Sequence, residues 1–385
     1  MQAVLLGAAA LAFLLLALHP FATYPLSLRL LARRAAARPV VPMGSPRVAI
    51  CVCAYKEEAC IERKMANLLE LRARRGQLDI LVYVDGTEDR TGELLAPFAD
   101  EITLIVSPTR HGKTHGMNLL VERCTADIVV FTDANVHVDP PAIDALLHAF
   151  EDPETGCVCG HLIYTNGAES ATAEVGSLYW RLEEQVKRHE SALGAVMGAD
   201  GSLFAVRRAL YPRVPETLID DMFVSLSILC QGYRVVRAPD ALAYEASVTA
   251  PQEEFRRKIR IACQAFNVHR VLWPQLRRLP AAVVYMYLSH KLLRWLAAFN
   301  LLFASLVGAA SLEALGVPVP ALVALAMAGC LALWLALRFQ LKPWASIAEI
   351  LLALVGAAAG VLHSCRGHTF VTWTPAASIR RAEAE

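Results

Sequence analysis

Asp133 and Asn135 are oxygen-bearing side chains two positions apart, directly after the apolar run 128–132. At this spacing, carboxylate and amide oxygens can bind a hard cation such as Mg²⁺ or Mn²⁺, and the cation can bridge the phosphates of a diphosphate. Lys113, in the segment HGKTHGMN (111–118), stands at a predicted helix start, where its ammonium group and the free backbone amides suit an anion. The segment lacks the Walker pattern. The sequence therefore predicts a diphosphate site without the signature of ATP hydrolysis.

A second polar segment, ICVCAYKEE (50–58), follows the first apolar run of the central region. Its residues Ala54, Tyr55 and Glu57 are candidates for contact with a nucleoside, because the phenol ring can stack on a base and the carboxylate can accept from its imide. An ordinary strand-to-helix turn explains the same residues, so this segment is weak evidence by itself.

A third segment, VDGTEDRT (84–91), places Asp85 after another apolar run. Gly86 allows the backbone to approach a ligand closely, and Asp89 is able to cap the following helix. A plain capped turn explains this segment equally well.

An acidic pair, Asp220 and Asp221, lies in LIDDMF (218–223) at the predicted start of a helix. Carboxylates cap free amides and suit the positive end of a helix. The residues by themselves therefore predict that this pair caps the helix.

These residues are positioned by alternating strands and helices. Apolar β-rich runs predict strands, and apolar residues at helical spacing predict the helices between them. The pattern predicts an α/β fold with a mainly parallel sheet, helices on both faces and ligands at the carboxyl ends of the strands. The predicted strands are 48–53, 80–84, 102–106, 128–132 and 157–164, and the predicted helices are 57–75, 91–99, 113–124, 140–150, 174–190 and 220–230.

The two ends of the chain have the composition of membrane segments. Of the 385 residues, 56% are hydrophobic, and the mean hydropathy of +0.41 is too high for an ordinary soluble protein. We predict an N-terminal transmembrane anchor (1–31), a catalytic domain (46–278), interfacial and transmembrane helices (279–365) and a basic tail (366–385). A cleaved signal peptide is the competing interpretation of the N-terminus, but no basic segment precedes its apolar run.

Arginines flank the central domain on both sides, and by the positive-inside rule the domain is expected to be cytoplasmic. Arg29, Arg33 and Arg34 precede it, and a basic cluster lies within 256–278. The C-terminal stretches 291–312, 317–337 and 345–363 are each near the length of a membrane span.

Three such spans and the anchor would place the arginines of the tail outside the cell, against the same rule. Either that topology holds, or one stretch lies in the interface or re-enters the membrane; helix 280–290 is a further candidate for the interface. Lipid-facing charge is costly, so His290, Lys291 and Arg294 are expected to face a protein groove or the headgroups.

The ten cysteines include Cys51-x-Cys53 and Cys157-x-Cys159, on predicted strands, and no CxxC pair. Residues two apart on a strand share a face. The pattern favours buried reduced thiols over zinc ligation or disulfides.

The motifs, in this order over 48–266, resemble the family-two glycosyltransferases, in particular the membrane-bound branch with the cellulose, chitin, hyaluronan and poly-N-acetylglucosamine synthases. The resemblance implies the nucleotide-sugar-binding A-type glycosyltransferase fold. It implies that Asp85 binds the nucleoside and that Asp133 belongs to the metal-binding DxD motif. Asn135 stands in the place of the second Asp.

The resemblance also assigns an acceptor side and a base. VMGADGSLFAVRR (196–208) is similar to the acceptor loop of the family, with Asp200 and Gly201 as its site residues. The catalytic base of the family closes an acidic pair, which implies that Asp221 is the base and that Asp220 supports the acceptor side or caps the helix.

EEFRRKIRIACQAF (253–266) falls where the family carries its QxxRW motif. Arg257 and Ile261 stand in the places of the Gln and the Trp, and Arg260 keeps the arginine, whose fork-shaped group suits a pyrophosphate. A basic amphipathic helix on anionic lipid is the competing interpretation.

The combined expectation is an inverting, metal-dependent hexosyl or N-acetylhexosaminyl transferase in a bacterial inner membrane. We expect a nucleotide-diphosphate sugar donor, a UDP-sugar in preference, a saccharide or lipid-linked acceptor, contact with membrane lipid, and no nucleic acid. Transfer of one sugar and processive polymerisation both remain open. The alternative is a catalytically silent membrane subunit that binds a nucleotide and acts through partners.

Overall fold

A computed structural model describes residues 1–33, 41, 44–166, 171–246, 248, 250–339, 341 and 343–372. An α/β domain is joined to long apolar helices at both ends. Arg34 of the predicted basic flank and most of the predicted basic tail (373–385) lie outside the described residues.

Among the described residues, eight strands form the centre of the domain: β1 (Val48–Ala54), β2 (Asp79–Asp85), β3 (Thr103–Ser107), β4 (Ile128–Thr132), β5 (His137–Val138), β6 (Thr155–Tyr164), β7 (Leu203–Arg207) and β8 (Arg234–Glu245). They make one sheet in the order β3-β2-β1-β4-β7-β6-β8-β5. The first four strands pair in parallel, as do β6 and β8, whereas β7 runs antiparallel to both β4 and β6, and β5 runs antiparallel to β8. The predicted α/β class is confirmed, and the sheet is mixed.

The parallel half follows the sequence pattern closely. The four predicted strands from 48 to 132 differ from the observed β1 to β4 by at most one residue at either end. Alternate residues of β1 face opposite cores: Ala49 and Cys51 belong to one, and Ile50 and Val52 to the other. This alternation is the two-residue period of a strand with helices on both faces.

Strand β8 was not predicted from the sequence. Pro239 interrupts its apolar pattern, and a proline has no N–H to donate to a sheet ladder. The structure places Pro239 at a register shift, where Cys159 of β6 pairs with Arg237 and His161 already pairs with Leu242. The shift removes the proline from the ladder and lets the strand continue to Glu245.

Fourteen α-helices are assigned in the part of the chain that the structure describes. They are α1 (Gln2–Leu18), α2 (Thr23–Ala32), α3 (Ile61–Arg75), α4 (Thr91–Leu95), α5 (Lys113–Arg123), α6 (Ala142–Ala149), α7 (Ala171–Ala192), α8 (Asp220–Cys230), α9 (Pro251–Leu276), α10 (Ala281–Tyr287), α11 (Leu293–Trp295), α12 (Ala297–Ala314), α13 (Val319–Phe339) and α14 (Trp344–Cys365). A π-helical turn, Leu288–Leu292, joins α10 to α11. The predicted helix 57–75 begins only at Ile61, because residues 55–60 form a loop after β1.

Helices α12, α13 and α14 are long and apolar enough to cross a membrane. Helices α1 and α2 pass the same test only as a pair, which is bent by 58°. The N-terminal segment predicted as one anchor over 1–31 is therefore two helices with a sharp bend between them. Helix α1 packs against α12, where Ser311 donates a hydrogen bond to the carbonyl of Ala3 at 2.8 Å.

Helix α14 differs from the other two candidates because it lies along α9 of the catalytic domain. Within the protein, 33% of the apolar stretch of α14 is buried, against 6% of that of α13. Gly356 and Gly360 let the helices approach closely, since a Cβ on Gly360 would lie 2.5 Å from the carbonyl oxygen of Ile259. Beyond α14 the chain returns to the domain, and Gln264 of α9 donates a hydrogen bond to the carbonyl of Phe370 at 2.9 Å.

The charged residues predicted to avoid lipid face the protein. His290 hydrogen-bonds Glu190 at 2.7 Å and Glu183 at 3.0 Å, and Arg294 and Lys291 also pair with Glu183. Glu183 and Glu190 lie on α7, so this buried network fastens the catalytic domain to the helices that enter the apolar region.

Candidate active site

The polar residues singled out from the sequence follow the carboxyl ends of neighbouring strands. β1, β2 and β4 are parallel and adjacent, so the residues after each strand end lie at one edge of the sheet. Asp85 ends β2, and Asp133 comes directly after β4. The structure brings them together with Lys113, which begins α5.

Lys113 connects the candidate metal motif with the acidic pair. Its Nζ lies 2.6 Å from Oδ1 of Asp133 and 3.5 Å from Oδ2 of Asp220. Burial alone would lower the pKa of Lys113, but the carboxylates of Asp133 and Asp220 raise it well above the ordinary value. A permanently charged ammonium group therefore lies between the two acidic elements.

Asp221 and Lys113 both reach Gly201 of the predicted acceptor loop. A Cβ on Gly201 would lie 3.2 Å from Oδ2 of Asp221 and 3.3 Å from Nζ of Lys113. The other oxygen of Asp221 accepts a hydrogen bond from the backbone N–H of Met222 at 2.6 Å. Burial and the neighbouring Asp220 carboxylate raise the pKa of Asp221 to about 7. A base with this pKa is half ionised near neutral pH and can hold a transferred proton.

Asp200 belongs to the same loop and shapes its turn. Its Oδ1 accepts from the backbone N–H of Ser202 at 2.9 Å, and its Oδ2 lies 3.9 Å from Nζ of Lys187 on α7. Lys187 is buried against the ring of Trp180, at 4.4 Å from its centroid. The carboxylate of Asp200 therefore stabilises the turn of its own loop and pairs with Lys187, in addition to any contact with an acceptor.

Asp133 and Asn135 offer oxygen ligands on the loop after β4. The side chain of Asp133 is 34% exposed. Asn135 donates from Nδ2 to Oε1 of Glu245 at 3.0 Å, and this contact does not use its Oδ1. Among the described residues, no group of three or more His, Cys, Asp or Glu side chains could hold a metal ion alone. Mg²⁺ and Mn²⁺ sites commonly use one or two protein oxygens together with substrate phosphates, so the donor set present fits such an ion.

The predicted nucleoside residues lie beside the loop that precedes α5. Both oxygens of Asp85 accept hydrogen bonds from that loop, from the N–H of His111 at 2.7 Å and from the N–H of Gly112 at 2.8 Å. The guanidinium of Arg110 stacks on the ring of Tyr55 at 3.6 Å. Asp85 thereby fixes the backbone just before Lys113, in addition to the nucleoside role that the resemblance implies.

Ala54 and Glu57, the other two nucleoside candidates, are both buried. Oε2 of Glu57 accepts from the thiol of Cys60 at 3.0 Å, and its backbone N–H donates to Thr91 at 2.9 Å. These contacts tie the loop after β1 to the start of α4. They make Glu57 part of the support of the site.

The two arginines of the QxxRW region project from α9. Arg260 donates to Gln264 at 3.2 Å, and Arg257 pairs with Glu254 at 3.4 Å. Burial and the neighbouring Arg257 lower the pKa of Arg260 to about 10, against the opposing influence of the site carboxylates Asp220, Asp221 and Asp133. Arg260 is thus charged at neutral pH and lies within the electrostatic field of the acidic groups.

Residues beyond the sequence-based candidates complete the site. Glu245 contacts Asn135, and the backbone carbonyl of Val371, from the segment after α14, lies against Gly112. The sequence does not single out Glu245, because Pro239 interrupts the apolar pattern of β8. The apolar pattern that resumes after this proline is the local signal for the strand that carries it. No local signal could have brought Val371 to the site.

Comparison with known proteins gives a consistent result. The model of the glycosyltransferase-like family 2 matches residues 46–264. An N-acetylglucosaminyltransferase of Rhizobium meliloti is 23% identical over 261 residues, covering 63% of this chain and 61% of that protein. A beta-monoglucosyldiacylglycerol synthase of Trichormus variabilis is 27% identical over 189 residues, covering 46% and 40%. The chain therefore spans less than two thirds of the length of either relative.

Among solved structures, the fold is similar to the mannosyltransferase PcManGT from Pyrobaculum calidifontis, in complex with GDP-Man and Mn²⁺. The TM-score is 0.72 at 23% identity, and the match covers 93% of this chain and 99% of that one. The similarity extends the A-type glycosyltransferase fold to this chain. With the family match over more than half of its length, the chain belongs to the glycosyltransferase-like family 2.

Proposed function

We propose that this chain is an inverting glycosyltransferase that moves a hexose or an N-acetylhexosamine from a nucleotide-diphosphate sugar, a UDP-sugar in preference, to a saccharide or lipid-linked acceptor. One observation carries the proposal. Lys113 contacts both Asp133 and Asp220, and the side chains of Lys113 and Asp221 both approach Gly201. A candidate diphosphate site and a candidate base are thereby within reach of one lysine side chain.

In the proposed reaction, Asp221 takes the proton of an acceptor hydroxyl while its oxygen bonds to the anomeric carbon. The bond to the diphosphate breaks on the opposite side, and this single displacement inverts the centre. Lys113 and Arg260 stabilise the negative charge that the leaving diphosphate gains. Mg²⁺ or Mn²⁺, held by Asp133 and Asn135, would supply further charge neutralisation there when bound.

Two considerations bear on the nature of the acceptor. The relatives include one named for N-acetylglucosamine transfer and one named for synthesis of a glycolipid, which supports both a saccharide and a lipid-linked acceptor. Ile261 stands where the polymer synthases resembled by this sequence have a tryptophan. This difference supports transfer of one sugar at least as well as processive polymerisation.

We also propose a topology with three crossings, made by the bent pair of α1 and α2, by α12 and by α13, and a cytoplasmic catalytic domain. Helix α14 is long and apolar enough to cross, but it lies on α9 and the segment after it contacts the same domain, which supports an interfacial position. The basic tail then lies in the cytoplasm, in agreement with the positive-inside rule. A green fluorescent protein fused after Glu385 should fluoresce in cells, and an alkaline phosphatase fused there should be inactive; the reverse pattern would support a fourth crossing.

The activity is tested with purified protein in detergent, with and without added membrane lipid. A panel of UDP- and GDP-sugars is supplied with Mg²⁺ or Mn²⁺, and release of free nucleoside diphosphate is followed. We expect release from at least one donor by the wild type and a reduction of at least 100-fold in Asp221→Asn. Binding of a nucleoside diphosphate without any release would favour the silent membrane subunit.

A further inference from the structure

Asn135 occupies the position at which the resemblance places a second metal-binding Asp, and its side chain is held by a carboxylate from a distant part of the chain. Its Nδ2 donates to Oε1 of Glu245 at 3.0 Å. The short strand β5 pairs antiparallel with β8, with His137 opposite Tyr244, and this register brings the ends of the two strands together. The contact is therefore built into the sheet.

The chemistry of this contact determines the orientation of the amide. Oε1 of Glu245 accepts the hydrogen bond from Nδ2 of Asn135, and an oxygen without a proton can pair only with the Nδ2 end of the amide. If the amide were flipped, Oδ1 would face a carboxylate oxygen at hydrogen-bond distance, which is repulsive. Glu245 thus turns Oδ1 away from itself and leaves it as the atom of Asn135 that is available to a cation.

The location of Glu245 argues that this contact is more than incidental. Its backbone already serves the fold, because its carbonyl accepts from the N–H of Thr165 at 3.0 Å. Burial and the nearby Asp133 and Asp200 carboxylates raise the pKa of Glu245 to about 7, so a carboxylate in this place is unfavourable unless its partners compensate for it. Arg257 supplies part of this compensation and interacts with Glu245 from α9.

The charge of the site supports the same interpretation. A DxD pair presents two carboxylates to a cation, whereas Asp133 and Asn135 present only one. Glu245 places a second carboxyl group behind the amide, in hydrogen-bond contact with Asn135, and burial raises the pKa of this group to about 7. Partners of this kind commonly orient metal ligands and tune their affinity.

We propose that Glu245 is a positioning residue for the cation and diphosphate site, which holds Asn135 with its Oδ1 toward the cation so that Asp133 and Asn135 together serve as the ligand pair. The inference rests on the proposed function, because it assumes a nucleotide-diphosphate donor with a divalent cation. It predicts that Glu245 matters only while the neighbouring ligand is an amide. A carboxylate presents an oxygen whichever way it turns and needs no such orientation.

A double-mutant cycle tests this dependence in the full-length protein. Glu245→Gln keeps the shape of the side chain but can donate to Oδ1 of Asn135 and stabilise the flipped amide. We expect it to weaken Mn²⁺-dependent binding of UDP or GDP by roughly 10- to 100-fold, the usual effect of removing an outer partner of a metal ligand. In an Asn135→Asp background the same substitution should not weaken binding, because a carboxylate presents an oxygen in either orientation and Glu245→Gln removes the repulsion between the two carboxylates.

Binding is measured by calorimetric titration of UDP and of GDP, each with Mn²⁺ and with EDTA, and folding by the thermal unfolding midpoint. Asp240→Asn is the matched control, because it removes one negative charge from the same strand at an exposed position, and it should bind as the wild type does. Equal losses from Glu245→Gln in both backgrounds would overturn the positioning role, and so would no loss in either. If the wild type bound neither diphosphate with Mn²⁺, the proposed function would fail and the inference with it.

Discussion

The pKa of Asp221 leads to a prediction about the pH dependence of the reaction. Burial and the Asp220 carboxylate raise this pKa to about 7, and the base must be ionised to accept a proton. Roughly one tenth of such a carboxylate is ionised at pH 6 and roughly nine tenths at pH 8. We therefore expect kcat/KM of the wild type to rise about tenfold from pH 5 to pH 6 and to level off above about pH 8.

Substitutions distinguish the proposed role of Asp221 as the base from the role of its neighbour Asp220. Asp221→Asn keeps the side-chain shape and an oxygen able to accept from the N–H of Met222. Turnover should fall by roughly 10²- to 10⁴-fold, the residual rate should lose the inflection near pH 7, and nucleoside diphosphate binding should stay near the wild-type value. Asp220→Asn should instead move the inflection to lower pH, because it removes the like charge that raises the pKa of Asp221.

The same shift has a consequence for stability. The folded-state pKa of Asp221 lies above the value of about 3.9 expected in an unfolded chain, so its stabilising contribution is present below about pH 4 and is lost as the pH rises through 7. Asp221→Asn should therefore raise the thermal unfolding midpoint more at pH 8 than at pH 5.

Initial rates of nucleoside diphosphate release between pH 5 and pH 9, together with calorimetric titration of the diphosphate with Mn²⁺, measure the rate and the binding separately. Unchanged turnover in Asp221→Asn would remove Asp221 as the base. A loss of binding as large as the loss of turnover would make it a donor ligand or a structural residue.

Substitutions of Asp133, Arg260 and Gly360 test other parts of the site and the membrane assembly. Asp133→Ala should abolish transfer and weaken binding of the nucleoside diphosphate in Mn²⁺ but not in EDTA, and an equal loss in both media would contradict a metal role. Arg260→Ala should strongly reduce transfer. Arg260→Lys should recover only part of the activity, because an ammonium group cannot reproduce the bidentate fork of the guanidinium. Full activity of the alanine variant would assign this part of α9 to the membrane surface. Gly360→Ala should lower the thermal unfolding midpoint, because its Cβ would lie 2.5 Å from the carbonyl oxygen of Ile259. Gly329→Ala on α13 is the control, since its Cβ would have open space and should leave the midpoint unchanged. Equal midpoints of the two variants would show that α14 does not depend on this contact.

Local patterns in the sequence determined the first half of the domain. The strands β1, β2 and β4 are short apolar runs that are largely buried on both faces, and β3 is an apolar run at the exposed edge of the sheet, so the limits of all four could be predicted within one residue. The residues following them, Asp85 and Asp133 among them, could be predicted to lie together, because adjacent parallel strands end at one edge. The apolar ends of the chain were equally clear, since hydropathy over about 20 residues is a local property.

The tertiary structure decided which groups touch. Lys113 could be assigned to an anion, but its contact with the Asp220 carboxylate joins residues far apart in the chain. Glu245 lies 110 positions from Asn135, at the end of a strand whose pattern Pro239 interrupts. Composition predicted that α14 is long and apolar enough to cross a membrane, but only the folded chain shows that its glycine face packs on α9. Apolar periodicity reports that a face is buried but not what buries it, and contacts between distant segments depend on strand register and helix packing that only the folded chain defines.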